Sequence, residues 1–512
     1  MTFRWRLLLG ALSGALLSLA FPPVGASLLA PIAVALLALA VYKAPGGQAA
    51  VAGAVQGAVT FALLIRWMTL IGVDAWLLLV GVCAAWTALM AWAQCRTSRL
   101  PWWPLWFAAL WVAQEALRDR IPIGGFPWGR LAFGQTATTL TPWAAIGGAP
   151  AVTFVTALAG GLLAYATLAI LRRQQQWALA ALGGVVIVAL AGLLVPRPTT
   201  GEGTPPTATV AVIQGGVPTV GLGQSDDRRA VLDRHVRQTL DLATAVSRGE
   251  QPQPDAVIWP ENAVDIDPYG NPDVAATLTA TSRAINAPIL IGAVIDAPGD
   301  PTKAANVGIV WTQDGPQDMY VKRRPVPFGE YVPLRSVLAS LIGRFDRVPR
   351  DFIGGAEPGV LDVGQVRIGD VICFEVAYDE VVRDAVVAGG RALVVQTNNA
   401  TYAGLGQPEQ QATMSRLRAV EHGRTVLVAA TSGISAIIAP DGAILGEIPE
   451  GATGYLVTEI PLRDSRTVAD WLGAWPEWLC TIGAALAVGM TFRRRDESER
   501  ASHSEAPPPL SA

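Results

Sequence analysis

Three short segments place a polar residue at the end of an apolar run: Trp259-Pro260-Glu261, Tyr320-Val321-Lys322 and Cys373-Phe374-Glu375. The carboxyl ends of strands are where an α/β sheet presents its site. The residue types define a chemistry. A thiol attacks as the thiolate, so a nucleophilic Cys373 needs a base or a positive field beside it. Glu261, if partly desolvated, can take the thiol proton and later return a proton to a leaving group. Lys322 can hold the thiolate and stabilise the oxyanion of a tetrahedral intermediate, helped by a backbone N–H near Cys373. Glu330 and Glu375 can orient Lys322 and tune the site.

Taken singly, each has a bland reading: a Glu at a strand end is commonly a surface carboxylate, and Cys373 could be inert packing at the end of VRIGDVIC. The rest of the chain narrows the choice. Of 4 cysteines, Cys83, Cys95 and Cys480 fall in or beside long apolar segments, which leaves Cys373 without a disulfide partner in the remainder. Of 3 histidines, His235 lies in a polar helical stretch, His422 within RAVEHGR and His503 in a charged tail. A Ser-His-Asp or Cys-His arrangement therefore has little support, and the base is sought among carboxylates. No Gly-rich phosphate cradle, repeated CxxC or HExxH occurs, so neither a cofactor nor a metal is expected. The combination of Glu261, Lys322 and Cys373 favours the functional reading.

The elements that must position these residues alternate between strand and helix. ATVAVIQ, DAVIWPE, APILIGAVI, NVGIVWT, VRIGDVICFE, ALVVQTNN, TVLVAAT and SAIIAP are short β-branched runs, and 226–248 and 408–422 have helix-forming composition. This is an α/β pattern with a mixed sheet.

Outside it the chain changes character. Hydrophobic residues make up 51% of the sequence and charged residues 15%, against roughly 25% charged in a typical soluble domain. The deficit falls on residues 1–195, whose acids are Asp74, Glu115 and Asp119. Eight segments have the length and apolarity to cross a bilayer: 5–21, 26–42, 51–71, 75–95, 102–118, 147–171, 176–195 and 471–492. The first is read as a retained span rather than a signal peptide, because Phe21-Pro22-Pro23 follows it instead of small cleavage-site residues. The expected division is a membrane bundle over 1–196, a Pro/Gly/Thr linker over 197–206, an α/β domain over 207–465, an eighth span within 466–492 and a disordered tail over 493–512.

Lys and Arg in the short loops orient the spans. Arg4, Arg6, Lys43, Arg96, Arg99, Arg172, Arg173 and Arg493-Arg494-Arg495 share one side, the cytoplasm, if eight spans alternate. Both termini then lie inside and the α/β domain lies across the membrane. Loop 118–130 disagrees, with Arg118, Arg120 and Arg130 on the wrong side, so its GGFPWG stretch either dips into the membrane face, shapes a site, or is an ordinary aromatic turn. A net charge of -3 without a basic stripe gives no case for nucleic acid.

IWPEN around Glu261, YVKRRPVPFGEYVP around Lys322 and Glu330, and GDVICFEVAY around Cys373 resemble the nitrilase superfamily, whose members use a Glu-Lys-Cys triad on an αββα sandwich. TNNATY, RAVEHGR and TSGISAIIAPDG extend the likeness across the α/β domain. With the spans, the KRRPVPFGEYVP form of the lysine motif and the GFPW stretch at Gly125–Trp128, the whole chain resembles the apolipoprotein N-acyltransferase family of bacterial inner membranes.

The resemblance implies that Cys373 takes an acyl chain from a phospholipid as a thioester and passes it to the α-amino group of a lipoprotein's diacylglyceryl-cysteine, the last step of lipoprotein maturation. The implied partners are the phospholipid donor, the diacylglyceryl-apolipoprotein acceptor and the bilayer. The implied location of the domain is the periplasmic side. Trp128, Phe328, Tyr331, Phe374 and Asn399 are candidates for substrate contact. Phe374 stands where the family often has Tyr, which keeps an aromatic wall and removes a hydroxyl. The oligomeric state is open, and a monomer fits.

A membrane-tethered amidase or nitrilase-like C–N hydrolase with the same triad is the alternative, differing in the acceptor, water against an amine. A simple tether needs one helix, which favours the transferase. A transporter is disfavoured because charges are nearly absent within the spans. Val332-Pro333-Leu334, Val337-Leu338, Leu341-Ile342 and Phe345 have amphipathic spacing, and either a lipid-facing arm or a helix packed on the core fits them.

Overall fold

The computed structural model describes residues 1–196, 205–218, 228–333, 335 and 349–504, with side chains as far as Arg493. Most of the amphipathic segment at 332–345, most of the linker and the end of the tail lie outside the described residues.

Seven helices occupy the first part of the described chain: α1 (Phe3–Leu19), α2 (Leu29–Val41), α3 (Gly46–Leu64), α4 (Val73–Thr97), α5 (Trp103–Arg118), α6 (Ala144–Leu171) and α7 (Gln175–Leu194). Four helical segments, Gly46–Leu64, Val73–Thr97, Thr141–Leu171 and Gln175–Leu194, are long and apolar enough to cross a membrane. The helices at three other expected spans, α1, α2 and α5, are 17, 13 and 16 residues long, and boundaries shift for local reasons. Pro22, Pro23 and a positive-φ Gly25 delay α2 until Leu29, and it is only 13 residues long. The span expected at 51–71 starts earlier, after Pro45, and stops at Leu64, where a 3-10 turn over Arg66–Leu70 takes over and carries Trp67 inward. Helices pack closely through small residues: a Cβ at Gly57 would lie 1.9 Å from Thr87 Oγ1 of α4.

The α/β part is two six-stranded mixed sheets. The first runs in the order β12-β1-β2-β3-β4-β5 and the second β11-β10-β9-β8-β7-β6. Its strands are β1 (Thr207–Gln214), β2 (Ala256–Ile258), β3 (Ile289–Ala297), β4 (Asp300–Thr312), β5 (Gly315–Val321), β6 (Val360–Val363), β7 (Val366–Ile372), β8 (Ala392–Thr397), β9 (Val426–Ala430), β10 (Ser435–Ile438), β11 (Ile444–Ile448) and β12 (Gly454–Pro461). In the centre of each sheet three strands are parallel, β1-β2-β3 and β7-β8-β9.

Such strands are buried on both faces and read as unbroken apolar runs. Val210 and Val212 of β1 pack with Ile368 and Val394 between the sheets. Their neighbours Ala211 and Ile213 face α8 (Arg228–Ser247) and α9 (Pro272–Ile285). Behind the second sheet lie α10 (Asp379–Val387) and α11 (Gln407–His422). The layers are therefore αββα. The last layer does not end at solvent: Met414, Leu417 and Val420 of α11 share one hydrophobic cluster with Phe133, Val152 and Trp128 of the membrane part. The short α12 (Val468–Leu472) leads into α13 (Trp475–Ser504), which runs past the expected end of the eighth span.

The arginines of loop 118–130, which depart from the charge pattern expected of the spans, have partners within the protein. Arg118 donates to Trp128 O at 2.5 Å, Arg120 pairs with Glu477 of α13 at 2.7 Å, and Arg130 pairs with Asp379 at 2.8 Å. Asp379 is also held by Arg418 of α11 at 2.7 Å. Arg118 and Arg130 are buried and Arg120 is exposed; of the three, Arg130 joins the bundle to the αββα domain. Where α11 meets α6, the latter breaks at Gly147 and Gly148. A Cβ at Gly148, whose φ is +67, would lie 2.6 Å from Glu421 Oε1.

Candidate active site

β2, β3 and β5 run the same way, because β3 pairs parallel with β2 and two antiparallel steps separate it from β5. The residues that follow β2 and β5 therefore emerge at one edge, Glu261 from the first and Lys322 from the second. β7 and β8 are parallel in the other sheet, and their ends deliver Cys373 and Thr397-Asn398 to the same place. Glu261 Oε2 accepts from the backbone N–H of Asn398 at 3.0 Å, which joins the two sheet edges.

The ammonium of Lys322 lies 3.1 Å from Glu261 Oε1 and 2.8 Å from Glu330 Oε1. Asn306 Nδ2 bridges the same two oxygens at 2.7 and 2.9 Å. Lys322 is 1% exposed, and burial alone would favour its neutral form. Glu261 and Glu330 more than offset this and hold it charged, well above the ordinary lysine range. Cys373, partly buried, has the Thr397 hydroxyl 3.4 Å from Sγ. Burial, followed by the negative charge of Glu261, pushes the thiol up to about 12, with Lys322 pulling the other way. At neutral pH Cys373 is therefore held as the thiol.

Cys373 has φ +56, a left-handed conformation that costs roughly 1–2 kcal/mol for a residue with a Cβ. Glu375 holds that turn. Its Oε2 accepts from Ile372 N–H at 2.8 Å, and its Oε1 from the N–H groups of Arg323 and Arg324 at 2.7 and 2.9 Å. Tyr320 OH donates to it as well, at 3.0 Å. This buried carboxylate therefore fastens the Cys373 turn to the Lys322 loop. It reaches Lys322 through the following main chain and not at the ammonium, unlike Glu330.

An aromatic wall surrounds the turn. Trp128 is stacked on Phe374 with ring centroids 5.4 Å apart, and Phe126 stacks on it at 6.1 Å. Trp67 stands edge-on to Trp128 at 5.4 Å and to Tyr402 at 5.0 Å. Gln410 of α11 locks this wall: its Oε1 accepts from the indoles of Trp128 at 2.7 Å and Trp67 at 3.3 Å, and its Nε2 donates to Leu64 O and Pro22 O at 3.0 and 3.2 Å.

The structure thus brings Glu261, Lys322, Glu330 and Cys373 together, with Trp128 and Phe374 beside them. Tyr331 lines a separate cavity on the Lys322 loop, and Phe328 is 37% exposed at the turn of that loop. Asn399 turns its amide to Gln407 and Gln411 of α11; its neighbours Thr397 and Asn398 touch Cys373 and Glu261 instead. Sequence reasoning missed Asn306, Trp67, Tyr402 and Gln410. A polar Asn opening the apolar run NVGIVWT was the available signal for the first, while the others depend on contacts between distant parts of the chain.

Residues 13–162 match the family described as apolipoprotein N-acyltransferase N-terminal domain, and residues 210–470 match carbon-nitrogen hydrolase. The apolipoprotein N-acyltransferase of Mycolicibacterium smegmatis is 39% identical over 481 residues, covering 89% of this chain and 80% of that one. That of Geobacter metallireducens is 31% identical over 517 residues, covering 95% of each. A solved amidase structure from Nesterenkonia sp. AN1 aligns at 19% identity and a TM-score of 0.36, over 52% of this chain and 94% of that one. With curated relatives matched at these identities through both halves of its architecture, the chain belongs to the apolipoprotein N-acyltransferase family.

Proposed function

We propose that the protein is an N-acyltransferase that moves a fatty acyl chain from a phospholipid to the α-amino group of an apolipoprotein's N-terminal diacylglyceryl-cysteine, through a thioester on Cys373. The observation that carries the reading is the charged Lys322 held between Glu261 and Glu330 beside Cys373, under an aromatic wall supplied by the membrane part.

In the first half-reaction Cys373 Sγ bonds to the ester carbonyl carbon while Glu261 takes its proton. The carbonyl electron pair moves to oxygen, where Lys322 and a backbone N–H near Cys373 stabilise it. Collapse expels the lysophospholipid alkoxide, which takes the proton back from Glu261. In the second half the acceptor amine attacks the thioester, Glu261 takes the amine proton, and the sulfur leaves and is reprotonated. Glu330 positions Lys322, and Glu375 sets the turn.

The architecture suits a lipid donor. At about 0.8 kcal/mol per CH₂ a long acyl chain does not leave the bilayer freely, so the thiol must come to the membrane. We assign the bundle at 1–196 and the span within 466–492 to anchoring the domain at 207–465 at both ends. Eight crossings then place both termini in the cytoplasm and the domain on the periplasmic face of the inner membrane.

The test is mass spectrometry of the purified protein after incubation with labelled phospholipid. A hydroxylamine-sensitive adduct on Cys373, slower to form in Glu261→Gln, supports the reading. No adduct on wild-type protein would leave the hydrolase alternative in its place.

A further inference from the structure

The loop that carries Lys322 continues through Arg323 and Arg324, and both line a cavity of ≈ 280 Å³ that the mechanism above does not use. Tyr331 and Tyr378 line it too, and Ile123 and Gly124 of the membrane part close one side. Among its lining residues the two arginines are the only ones with an ionised side chain. We propose that this cavity binds a phosphate group, and that its source is the headgroup phosphodiester of the acyl donor; the inference rests on the phospholipid donor proposed above.

The guanidinium groups are set for a ligand rather than consumed by their partners. Arg323 Nη1 contacts Asp384 at 3.0 Å and Arg324 Nη2 contacts Glu380 at 2.9 Å. Neither carboxylate lines the cavity. A guanidinium has five N–H donors in a rigid fork, so an acid behind each arginine fixes its direction and leaves donors for a phosphate oxygen. Arg324 also lies over the Tyr378 ring, 5.7 Å from its centroid.

The cavity is coupled to the nucleophile by main chain. The N–H groups of Arg323 and Arg324 are both held by Glu375, whose other oxygen holds Ile372 N–H beside Cys373. A phosphate bound here is therefore at a fixed offset from the thiol. Ile123, which lines the cavity, is 47% exposed, an apolar side chain beside a cationic pocket, as expected where headgroups meet acyl chains.

The test compares two acyl donors with the same chains, a phospholipid and the matching diacylglycerol, presented to the full-length protein in nanodiscs, with acyl-Cys373 formation as the readout. In Arg323→Gln/Arg324→Gln the KM for the phospholipid, divided by that for diacylglycerol, should rise about tenfold, the loss expected when charge-assisted hydrogen bonds are removed. Arg324→Lys should recover part of it. Inorganic phosphate should compete with the phospholipid alone, and lose that effect in the double variant. An unchanged KM ratio overturns the inference. So does inhibition by inorganic phosphate that is equal for both donors, which would make the cavity a site for free phosphate. Absence of any adduct from either donor on wild-type protein would sink the proposed function itself, a separate outcome.

Discussion

Trp128 lies flat on Phe374, the residue after Cys373, with their ring planes 12° apart. One belongs to a loop of the membrane part and the other to the αββα domain. Stacking of this kind contributes about 0.5–1.5 kcal/mol beyond the area buried. It also means that the wall beside Cys373 is built only when the two halves are seated on one another.

Gln410 sets that seating. Its amide donates to two carbonyls and its oxygen accepts from two indoles. Gln410→Glu keeps the acceptor and loses both donors, whereas Gln410→Leu loses everything. We expect acyl-Cys373 formation to fall about tenfold in the first and further in the second, with Trp128→Phe milder than either because stacking survives. A merely structural role would lower the amount of folded protein at unchanged KM. The expected signature is a change in KM for the lipid donor, measured on folded protein in nanodiscs.

Glu375 gives a sharper case. Both its oxygens accept hydrogen bonds, three of them from main-chain N–H groups. Gln must turn an N–H₂ toward at least one of those donors. Leaving a buried donor unsatisfied costs about 1–3 kcal/mol, and here the cost falls on the turn that carries Cys373 at positive φ. Glu375→Gln is expected to slow acylation by about two orders of magnitude. Acylation at the wild-type rate would show that the turn holds itself.

How legible was this in the sequence? Glu261, Lys322 and Cys373 each end an apolar β run, so local pattern alone placed them at strand ends, and pairing direction then brought those ends together. Gln410 could not be found that way. Its partners Pro22, Leu64, Trp67 and Trp128 lie hundreds of residues away, and nothing in QPEQQAT distinguishes it from its neighbours Gln407 and Gln411. The helix boundaries shifted for a related reason: α2 and α3 are set by Pro and Gly at their ends and by packing between helices, while hydropathy reports only the apolar stretch. Loop 118–130 stood out in the sequence as an exception to the charge pattern, but the partners of Arg120 and Arg130, Glu477 and Asp379, are distant in sequence and could not be read from it.

Asn306 was also missed, and it makes a testable difference to charge. Its amide bridges Glu261 and Glu330, keeping two carboxylates in contact with one ammonium. Asn306→Ala removes two hydrogen bonds to charged groups, and Asn306→Asp adds a third negative charge beside Lys322. Single-turnover acylation should fall about ten- to a hundredfold in the first and further in the second. Equal rates in the two variants would mean that charge at this position is not felt by the triad.

His235 predicts an acid limit for the αββα domain. It is fully buried on α8, its ring 5.8 Å from that of Trp259, and Nδ1 lies 2.8 Å from Val231 O. Nε2 has no hydrogen-bond partner among the described residues. Burial holds its pKa down at about 4 instead of 6.5. The unfolded chain therefore binds a proton near the ordinary value while the folded one refuses it. The contribution is complete above that value and is lost progressively as pH falls toward the folded one, by on the order of 3 kcal/mol in all. Thermal unfolding followed from neutral pH downward should show the wild-type midpoint declining. His235→Leu, which removes the titrating group and keeps an apolar side chain against Trp259, should decline less steeply. If the two curves fall in parallel, the acid sensitivity belongs to the carboxylates and not to this histidine.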